Sequence, residues 1–417
     1  MKILCSTFGS AGDVFPILGL CLALRDRGHE VTLATNPYFA EMAERHQIPF
    51  EPLGTESQFR ESIQHPDLWH PRRSFGYLFA MLELVRLQQF ELFARYARQG
   101  PFVGVVNCLS FGAMTAAEKF GFPCITAHCQ PAVLWSDVKP PKLPGLFGPR
   151  WLRSGIVRLG ERWFVEPAAL PVLNHWRAEL GLAPIQRLTT WWNSRDGVLG
   201  MFPEWYAPAQ SDWPSPLKQT DFPLWNFRSD QSLEDEIAEF LSEGMPPIVF
   251  APGSANVQAR EFFAAAVHAC QRLGRRGILL TEFDEQVPRI LPASVARFSY
   301  APLDLVLPHC SALVHHGGIG TASQAMLAGI PQLIMPMAHD QFDNAERITQ
   351  LGIGSSISFR SFRGPRIARK LNALLTNPGV LQRCKQIADR LTRRDGLQRS
   401  AVAIEQLAHM SATDVSD

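Results

Sequence analysis

The sequence lacks the features of a metal-binding, disulfide-stabilised or membrane-spanning protein. Its eight cysteines lie far apart and none form a C-x-x-C pair, which disfavours a zinc site or a disulfide framework and indicates buried, reduced thiols. No run of about 18 uncharged apolar residues occurs, so no membrane span is predicted. Lys and Arg number 40 against 39 Asp and Glu, and this balance disfavours broad nucleic-acid binding.

The N-terminus also lacks two familiar signals. Its apolar run is interrupted by Gly9 and Asp13 too early to form a signal peptide, so we expect a cytoplasmic protein. The glycine turn there, Gly9-Ser10-Ala11-Gly12-Asp13, has neither the third glycine nor the downstream acid of a dinucleotide fingerprint. NAD binding is therefore disfavoured.

Length and periodicity predict two α/β domains. The 417 residues exceed the roughly 250–300 at which a single hydrophobic core stops growing. Strand and helix patterns alternate from Ile3 onward, become irregular in a tryptophan-rich stretch over 130–225, and resume at Ile248. We predict an N-terminal domain over 1–225, a polar and acidic linker over 226–246, and a second domain over 247–410 that includes the terminal helices.

A glycine-rich turn after a predicted strand is the strongest chemical signal. Residues 315–321 read His-His-Gly-Gly-Ile-Gly-Thr and open a predicted helix. Glycines allow backbone N–H groups to approach a ligand closely, and a helix N-terminus favours an anion. A histidine there can donate to a phosphate oxygen, although a buried structural histidine would show the same pattern.

Two further loops follow predicted strands. Asp340-Gln341 pairs a carboxylate with an amide, a combination suited to vicinal sugar hydroxyls, but it would also serve as a polar cap for the next helix. Ser254, after Pro252-Gly253, could reach a diphosphate or belong to a simple turn. In the N-terminal loop, Asp13 could act as a general base toward an acceptor hydroxyl or could cap its own helix.

Taken together, these segments resemble a known family. Residues 300–341 resemble the nucleotide-sugar signature of the inverting glycosyltransferases that include the UDP-glycosyltransferases. Residues 9–16 resemble the GSxGDVxP loop of bacterial and sterol-acting members. The resemblance implies the α/β GT-B fold, in which two Rossmann-like domains face each other across a cleft and the C-terminal helix returns toward the N-terminal domain. It also implies transfer of a hexose from a nucleotide-diphosphate sugar, with neither metal nor cofactor.

The resemblance also assigns roles to individual residues. Asp13 matches the catalytic base, in a loop formed by Gly9, Ser10 and Gly12. The positions matching the donor site are Ser254, Tyr300, Ala301, His315, His316, Gly318, Gly320, Thr321, Gln324, Asp340 and Gln341. Within that set, His316 and Ser254 match diphosphate contacts, and Asp340 matches a sugar contact.

Two donor positions depart from the family pattern. Gln324 stands where relatives often carry a glutamate that holds the ribose, and Tyr300 or Ala301 replaces a tryptophan that stacks on uracil. The nucleotide base, uracil or thymine, therefore stays open.

The expected acceptor is hydrophobic. Segments at 68–71, 74–76, 202–208, 212–214 and 338–347 resemble rhamnosyltransferases of glycolipid synthesis, which implies a β-hydroxy fatty acyl acceptor. Apolar residues at 79–93 could line a lipid groove or could be ordinary core. Basic residues at 360–370 and 390–394 could form a solvated face or a peripheral contact with the inner face of the membrane. Two alternatives remain: a UDP-glucosyltransferase acting on a sterol, polyketide or flavonoid-like molecule, and an epimerase or non-catalytic nucleotide-sugar-binding protein.

Overall fold

The computed structural model describes residues 1–69, 73–143, 150–225, 233–253 and 259–414. It divides into two compact units. Unit 1 comprises Met1–Trp225 and Asp395–Asp417, and unit 2 comprises Asn226–Arg394. Ser254 lies outside the described residues, as do residues 226–232 of the predicted linker.

Unit 1 is built on a parallel seven-stranded sheet of order β3-β2-β1-β4-β5-β6-β7. Its strands are β1 Lys2–Ser6, β2 Glu30–Thr35, β3 Phe50–Pro52, β4 Val103–Val106, β5 Cys124–His128, β6 Val198–Gly200 and β7 Leu217–Gln219. Ile3 of the central strand pairs with Val31 on one side and Val103 on the other. The central strands are near-continuous apolar runs because helices cover both faces of a parallel sheet.

Unit 2 repeats this plan with a parallel six-stranded sheet of order β10-β9-β8-β11-β12-β13. Its strands are β8 Ile248–Ala251, β9 Gly277–Leu280, β10 Val295–Phe298, β11 Ala312–His315, β12 Gln332–Ile334 and β13 Gly354–Ser356. The strand order reverses between β1 and β4 in unit 1 and between β8 and β11 in unit 2. Such switch points are where doubly wound sheets bind ligands, at the carboxyl ends of the strands.

Helices surround both sheets. The α-helices are α1 Ala11–Asp26, α2 Ala40–Arg45, α3 Glu56–Gln64, α4 Ser74–Gln99, α5 Phe111–Phe120, α6 Arg150–Gly160, α7 Glu166–Glu179, α8 Leu188–Trp191, α9 Asp235–Ser242, α10 Arg260–Leu273, α11 Leu303–Val306, α12 Ile319–Leu327, α13 Gln341–Gln350, α14 Gly364–Leu375, α15 Pro378–Leu391 and α16 Gly396–Asp414. A π-helical turn, Glu161–Val165, joins α6 to α7. Short 3-10 helices span Pro37–Phe39, Pro66–Trp69, Pro131–Val133, Asp284–Gln286, Leu307–His309 and Phe359–Ser361.

The last helix belongs to unit 1, although the sequence pattern predicted it as part of the second domain. α16 packs against α1 and the strands β5 and β6, and it buries Ile404 and Leu407 completely. Glu405 accepts hydrogen bonds from Arg27 at 2.7 and 2.8 Å and lies 2.8 Å from the His29 ring. The predicted return of the C-terminal helix to the N-terminal domain is therefore confirmed.

Part of the predicted linker is instead a helix of unit 2. α9 buries Ile237 completely in a core that also contains Val249 and Val306. Its acidic residues, which suggested a linker, occupy the other faces of this amphipathic helix.

Candidate active site

The glycine turn of unit 2 follows β11 and ends at the N-terminus of α12. Gly317 has φ +101°, and a Cβ there would lie 2.7 Å from the Ile334 side chain, so only glycine fits. The first intrahelical bond runs from the Ala322 N–H to the Gly318 carbonyl, at 3.0 Å. The N–H groups before Ala322 therefore have no acceptor within the helix and point toward its N-terminal end, where Gly320 is exposed.

His315 supports this turn from inside the core. Its side chain is fully buried, with Nδ1 accepting the Gly317 N–H at 3.1 Å and Nε2 lying 2.9 Å from the Gln332 Oε1. Burial lowers the pKa of His315 to about 3, so the ring is neutral and donates from Nε2. Because both ring nitrogens are already bonded within the protein, the structure gives His315 a supporting role instead of the donor contact that the sequence predicted.

His316 is arranged differently. Its ring lies between two glycines: a Cβ on Gly253 would approach Nδ1 to 3.1 Å, and one on Gly318 would approach Nε2 to 2.6 Å. Nδ1 is buried and finds no hydrogen-bond partner within the described residues. Burial lowers the pKa of His316 to about 4, and a backbone interaction with Ala251 opposes this only partly. A buried polar atom left unsatisfied is costly, and a bound ligand could relieve that cost.

Gln324 carries a second such atom. It lies on α12, and its Oε1 is buried with no partner in the part of the chain that the structure describes. Thr321, in the first turn of the same helix, is half-buried. The Gln324 carboxamide lies on α12, and the glycine turn leads into the same short helix. The predicted donor contacts of Gln324 and of the turn therefore lie on one rigid element.

The Asp340-Gln341 loop is tied to this turn by Asn344. The Asn344 amide donates to the Gly317 carbonyl at 2.9 Å and to Asp340 Oδ2 at 2.7 Å. The Gln341 Oε1 accepts from the Met337 and Ala338 N–H groups at 2.8 and 3.1 Å. The amide oxygen of Gln341 therefore stabilises the loop. Asn344 bridges this loop and the glycine turn, a role that the sequence did not predict although Asn344 lies within the segment 338–347.

The segment predicted to receive the base lies after β10. Ala301 is buried among the apolar residues of the unit 2 core, and Tyr300 is half-buried. Only the Tyr300 side chain can therefore present substantial surface to a ligand.

Asp13 lies in the first turn of α1 in unit 1. Its Oδ2 accepts from the Ser10 N–H at 3.0 Å and from the Ser10 hydroxyl at 3.3 Å. Gly9 has φ +137°, and a Cβ there would lie 2.3 Å from that oxygen. One carboxylate oxygen thus caps the helix, while Oδ1 has a single long bond, 3.4 Å, from Gln130 Nε2. Both predicted roles, cap and base, are compatible with this geometry.

Burial raises the pKa of Asp13, and hydrogen bonds from Ser10 and Gln130 partly offset this. A raised pKa makes the carboxylate a stronger base at neutral pH. Gln130, which lies two residues after β5, was not predicted as a partner of Asp13. The switch-point rule could have found it, because β5 ends at the same edge of the sheet as β1.

Much of the expected lipid groove is core. Phe79, Leu82, Leu92 and Phe93 are buried in one cluster of unit 1 that also contains Trp176. The alternative interpretation of these residues as ordinary core is therefore confirmed. The described ranges contain no group of three or more His, Cys, Asp or Glu residues that could hold a metal ion, and no helix there is long and apolar enough to cross a membrane.

Two domain families match the chain. Residues 3–134 match the glycosyltransferase family 28 N-terminal domain, and residues 277–396 match the C-terminal domain of the erythromycin biosynthesis protein CIII-like family. Among curated relatives, the chain is 28% identical to the vancomycin aglycone glucosyltransferase of Amycolatopsis orientalis over 85% of each chain. It is 25% identical to the O-mycaminosyltylonolide 6-deoxyallosyltransferase of Streptomyces fradiae over 99% of each chain.

Solved structures share the fold. The glycotransferase of kitacinnamycin superposes with a TM-score of 0.76 at 21% identity, over 98% of this chain and 99% of that one. VinC in complex with dTDP gives 0.69 at 21% identity, over 99% and 100%. The spinosyn rhamnosyltransferase SpnG gives 0.69 at 18%, over 98% and 100%.

The two sheets and these structural neighbours define the GT-B fold. The chain is a glycosyltransferase with the GT-B fold, similar to family 28 glycosyltransferases over residues 3–134 and to the erythromycin CIII-like family over residues 277–396. The alternative of an epimerase or a non-catalytic binding protein is not retained.

Proposed function

We propose that this enzyme transfers a hexose from a nucleotide-diphosphate sugar to a hydroxyl of a hydrophobic acceptor, with inversion and without a metal or cofactor. One observation carries the donor assignment. The buried Nδ1 of His316 lacks a partner in the described residues, next to a helix N-terminus whose first N–H groups have no helical acceptor. A diphosphate oxygen would satisfy both kinds of group.

The donor half of the reaction depends on charge that develops on the leaving group. As the bond from the anomeric carbon to the diphosphate oxygen breaks, negative charge grows on the nucleoside diphosphate. His316, which is neutral at pH 7, and the N-terminus of α12 would stabilise that charge. Asp340, held by Asn344, would hold the sugar hydroxyls.

The acceptor half requires a base. The acceptor oxygen attacks the anomeric carbon from the face opposite the diphosphate and loses its proton, which Asp13 Oδ1 would accept. Oδ2 would stay bonded to Ser10, so the carboxylate would keep its orientation while it acts. Gln130 would orient Oδ1.

For the substrates, we favour dTDP-rhamnose and a β-hydroxy fatty acyl lipid, the pair used by the rhamnosyltransferases of rhamnolipid biosynthesis. The resemblance of residues 202–208 and 338–347 supports this, as do a structural neighbour that holds dTDP and another that is a rhamnosyltransferase. The absence of a tryptophan at 300–301 is consistent with a base other than uracil.

A second candidate follows from the curated relatives, whose names refer to the vancomycin aglycone and to O-mycaminosyltylonolide. These relatives favour a small-molecule acceptor, with UDP-glucose or a deoxysugar donor.

Release of nucleoside diphosphate tests both candidates. A panel of dTDP- and UDP-sugars is combined with a β-hydroxydecanoyl lipid or with aromatic, polyketide and sterol acceptors. We expect turnover with dTDP-rhamnose and the lipid. Turnover of UDP-glucose with an aromatic or sterol acceptor, and none with the lipid, would move the enzyme to the second candidate.

A further inference from the structure

An apolar stripe faces solvent along one continuous helical segment of unit 1, formed by α6, the π-helical turn and α7. Six of the sixteen exposed large hydrophobic side chains among the described residues fall within residues 152–172. Five of these six lie on one side of the segment and form what we call the 152–164 stripe: Leu152, Ile156, Leu159, Trp163 and Phe164. Trp163 and Phe164 are each 65% exposed. Concentrated apolar exposure of this kind marks an interaction surface.

The stripe cannot be buried by rotation of the helix, because the opposite face is already in the core. Val157, Val165 and Leu173 are buried, and Val165 and Leu173 belong to the main cluster of unit 1. Glu161, also buried, accepts from Arg187 at 2.8 Å and from the Thr189 hydroxyl. The segment is therefore apolar on two faces, one packed and one presented to solvent.

Arginines border the stripe on both sides. At 100° per residue along α6, Arg153 lies on one flank and Arg158 on the other, and Arg162 precedes Trp163 in the π-helical turn. The Arg158 side chain is 67% exposed and lies 3.6 Å from Asp137, and Arg162 is exposed. Arginine stems can extend along apolar surface while their charged ends reach outward. The result is an apolar face with a basic rim.

We propose that the 152–164 stripe docks on an anionic lipid bilayer surface. Trp163 and Phe164 would enter the boundary between headgroups and acyl chains, where aromatic rings are favoured, and Arg158 and Arg162 would meet lipid phosphates. A second copy of this chain fits less well, because a symmetric contact would bring two basic rims together. This inference is independent of the identity of the donor and the acceptor.

Co-sedimentation with vesicles tests the proposal, using phosphatidylglycerol–phosphatidylcholine vesicles and pure phosphatidylcholine vesicles without substrates. We expect binding to the anionic vesicles that falls about tenfold or more in the double variant Trp163→Ser/Phe164→Ser. The variant Arg158→Gln/Arg162→Gln should bind anionic vesicles more weakly and show a smaller loss of binding with added salt. The matched control is Ile290→Ser/Phe359→Ser, in which side chains 87% and 60% exposed in unit 2 are changed. It should bind as the wild type does.

Three outcomes would overturn the proposal. The first is a wild type that fails to sediment with anionic vesicles, and the second is a stripe variant that binds as tightly as the control. The third is a wild-type dimer in solution that the stripe variant loses while vesicle binding is absent. Thermal unfolding of each variant shows that the fold is retained. Nucleoside diphosphate release, measured separately, reports on the proposed reaction, so failure of one proposal leaves the other testable.

Discussion

Each of the two glycine loops follows a strand beside the switch point of its sheet, β1 in unit 1 and β11 in unit 2, but the two loops treat the following helix in opposite ways. In unit 1, Asp13 lies in the first turn of α1 and its carboxylate caps the N-terminal end. In unit 2, the first turn of α12 contains no acidic residue, and the preceding His316 leaves a buried nitrogen without a partner among the described residues. A helix end neutralised by its own carboxylate repels an anion, whereas an open one attracts it. This difference supports our proposal of the diphosphate site in unit 2 and of the base in unit 1.

The largest expected effect is the loss of kcat when Asp13, the proposed base, is substituted. Asp13→Asn should lower kcat by roughly 10²–10⁴-fold, because general base catalysis contributes about that much. Donor affinity, measured by calorimetry, should change little. Asp26→Asn, at the exposed opposite end of α1, is the matched control. If Asp13 only capped the helix, Asp13→Asn would lower the melting temperature while kcat stayed near wild type.

His315 and His316 are adjacent in unit 2, but we expect their substitutions to affect different properties, stability for His315 and donor binding and kcat for His316. His316→Ala should lower kcat by roughly 10²–10³-fold, as loss of a donor to a developing charge does, and should weaken dTDP binding. His315→Ala should instead destabilise the fold by about 1–3 kcal/mol, because Gln332 and the Gly317 N–H would lose their partner. Calorimetry with dTDP and thermal unfolding check both. Unchanged dTDP affinity in His316→Ala would contradict the assignment.

The two glycines of the unit 1 loop should respond differently to alanine. Gly9→Ala should lower kcat by roughly 10²-fold, because its Cβ would displace the Asp13 carboxylate from a site 2.3 Å away. Gly12→Ala should be tolerated, since its Cβ would meet only the Ser10 hydroxyl at 3.6 Å. Steady-state kinetics of the pair measure this. Equal kcat values in the two variants would show that the carboxylate position does not matter.

The smallest expected effect is a shift in the pH dependence of kcat/KM. Because burial raises the pKa of Asp13 above 3.8, kcat/KM should fall as pH drops through that raised value, when the base becomes protonated. Gln130→Leu removes a bond that lowers this pKa, so the acid limb should move to higher pH. A pH profile of both enzymes checks the shift. An acid limb at the same pH in Gln130→Leu would show that Gln130 does not act through Asp13.

Local sequence patterns were sufficient to predict the architecture and the positions of the two glycine loops. Alternating strands and helices predicted two α/β domains, the family resemblance implied that both are Rossmann-like, and the glycine loops placed Asp13 and His316 at the carboxyl ends of central strands. This succeeded because strand period, helix caps and glycine turns depend on residues a few positions apart.

Packing between residues far apart in the chain decided the hydrogen-bond partners and the burial that the sequence did not predict. The sequence predicted donor contacts for both His315 and His316. In the structure, Gln332 and the Gly317 N–H bond both ring nitrogens of His315, whereas Nδ1 of His316 has no partner among the described residues. The sequence missed Gln130, which is 117 residues from Asp13 along the chain. For the buried residues of α4 it left both a lipid groove and ordinary core open, and it predicted a linker where α9 of unit 2 lies. By itself the sequence determined the fold class and the positions of both loops. Only the tertiary structure decided which side chains are already bonded and which apolar faces stay exposed, because burial is a property of the packed chain and no short segment encodes it.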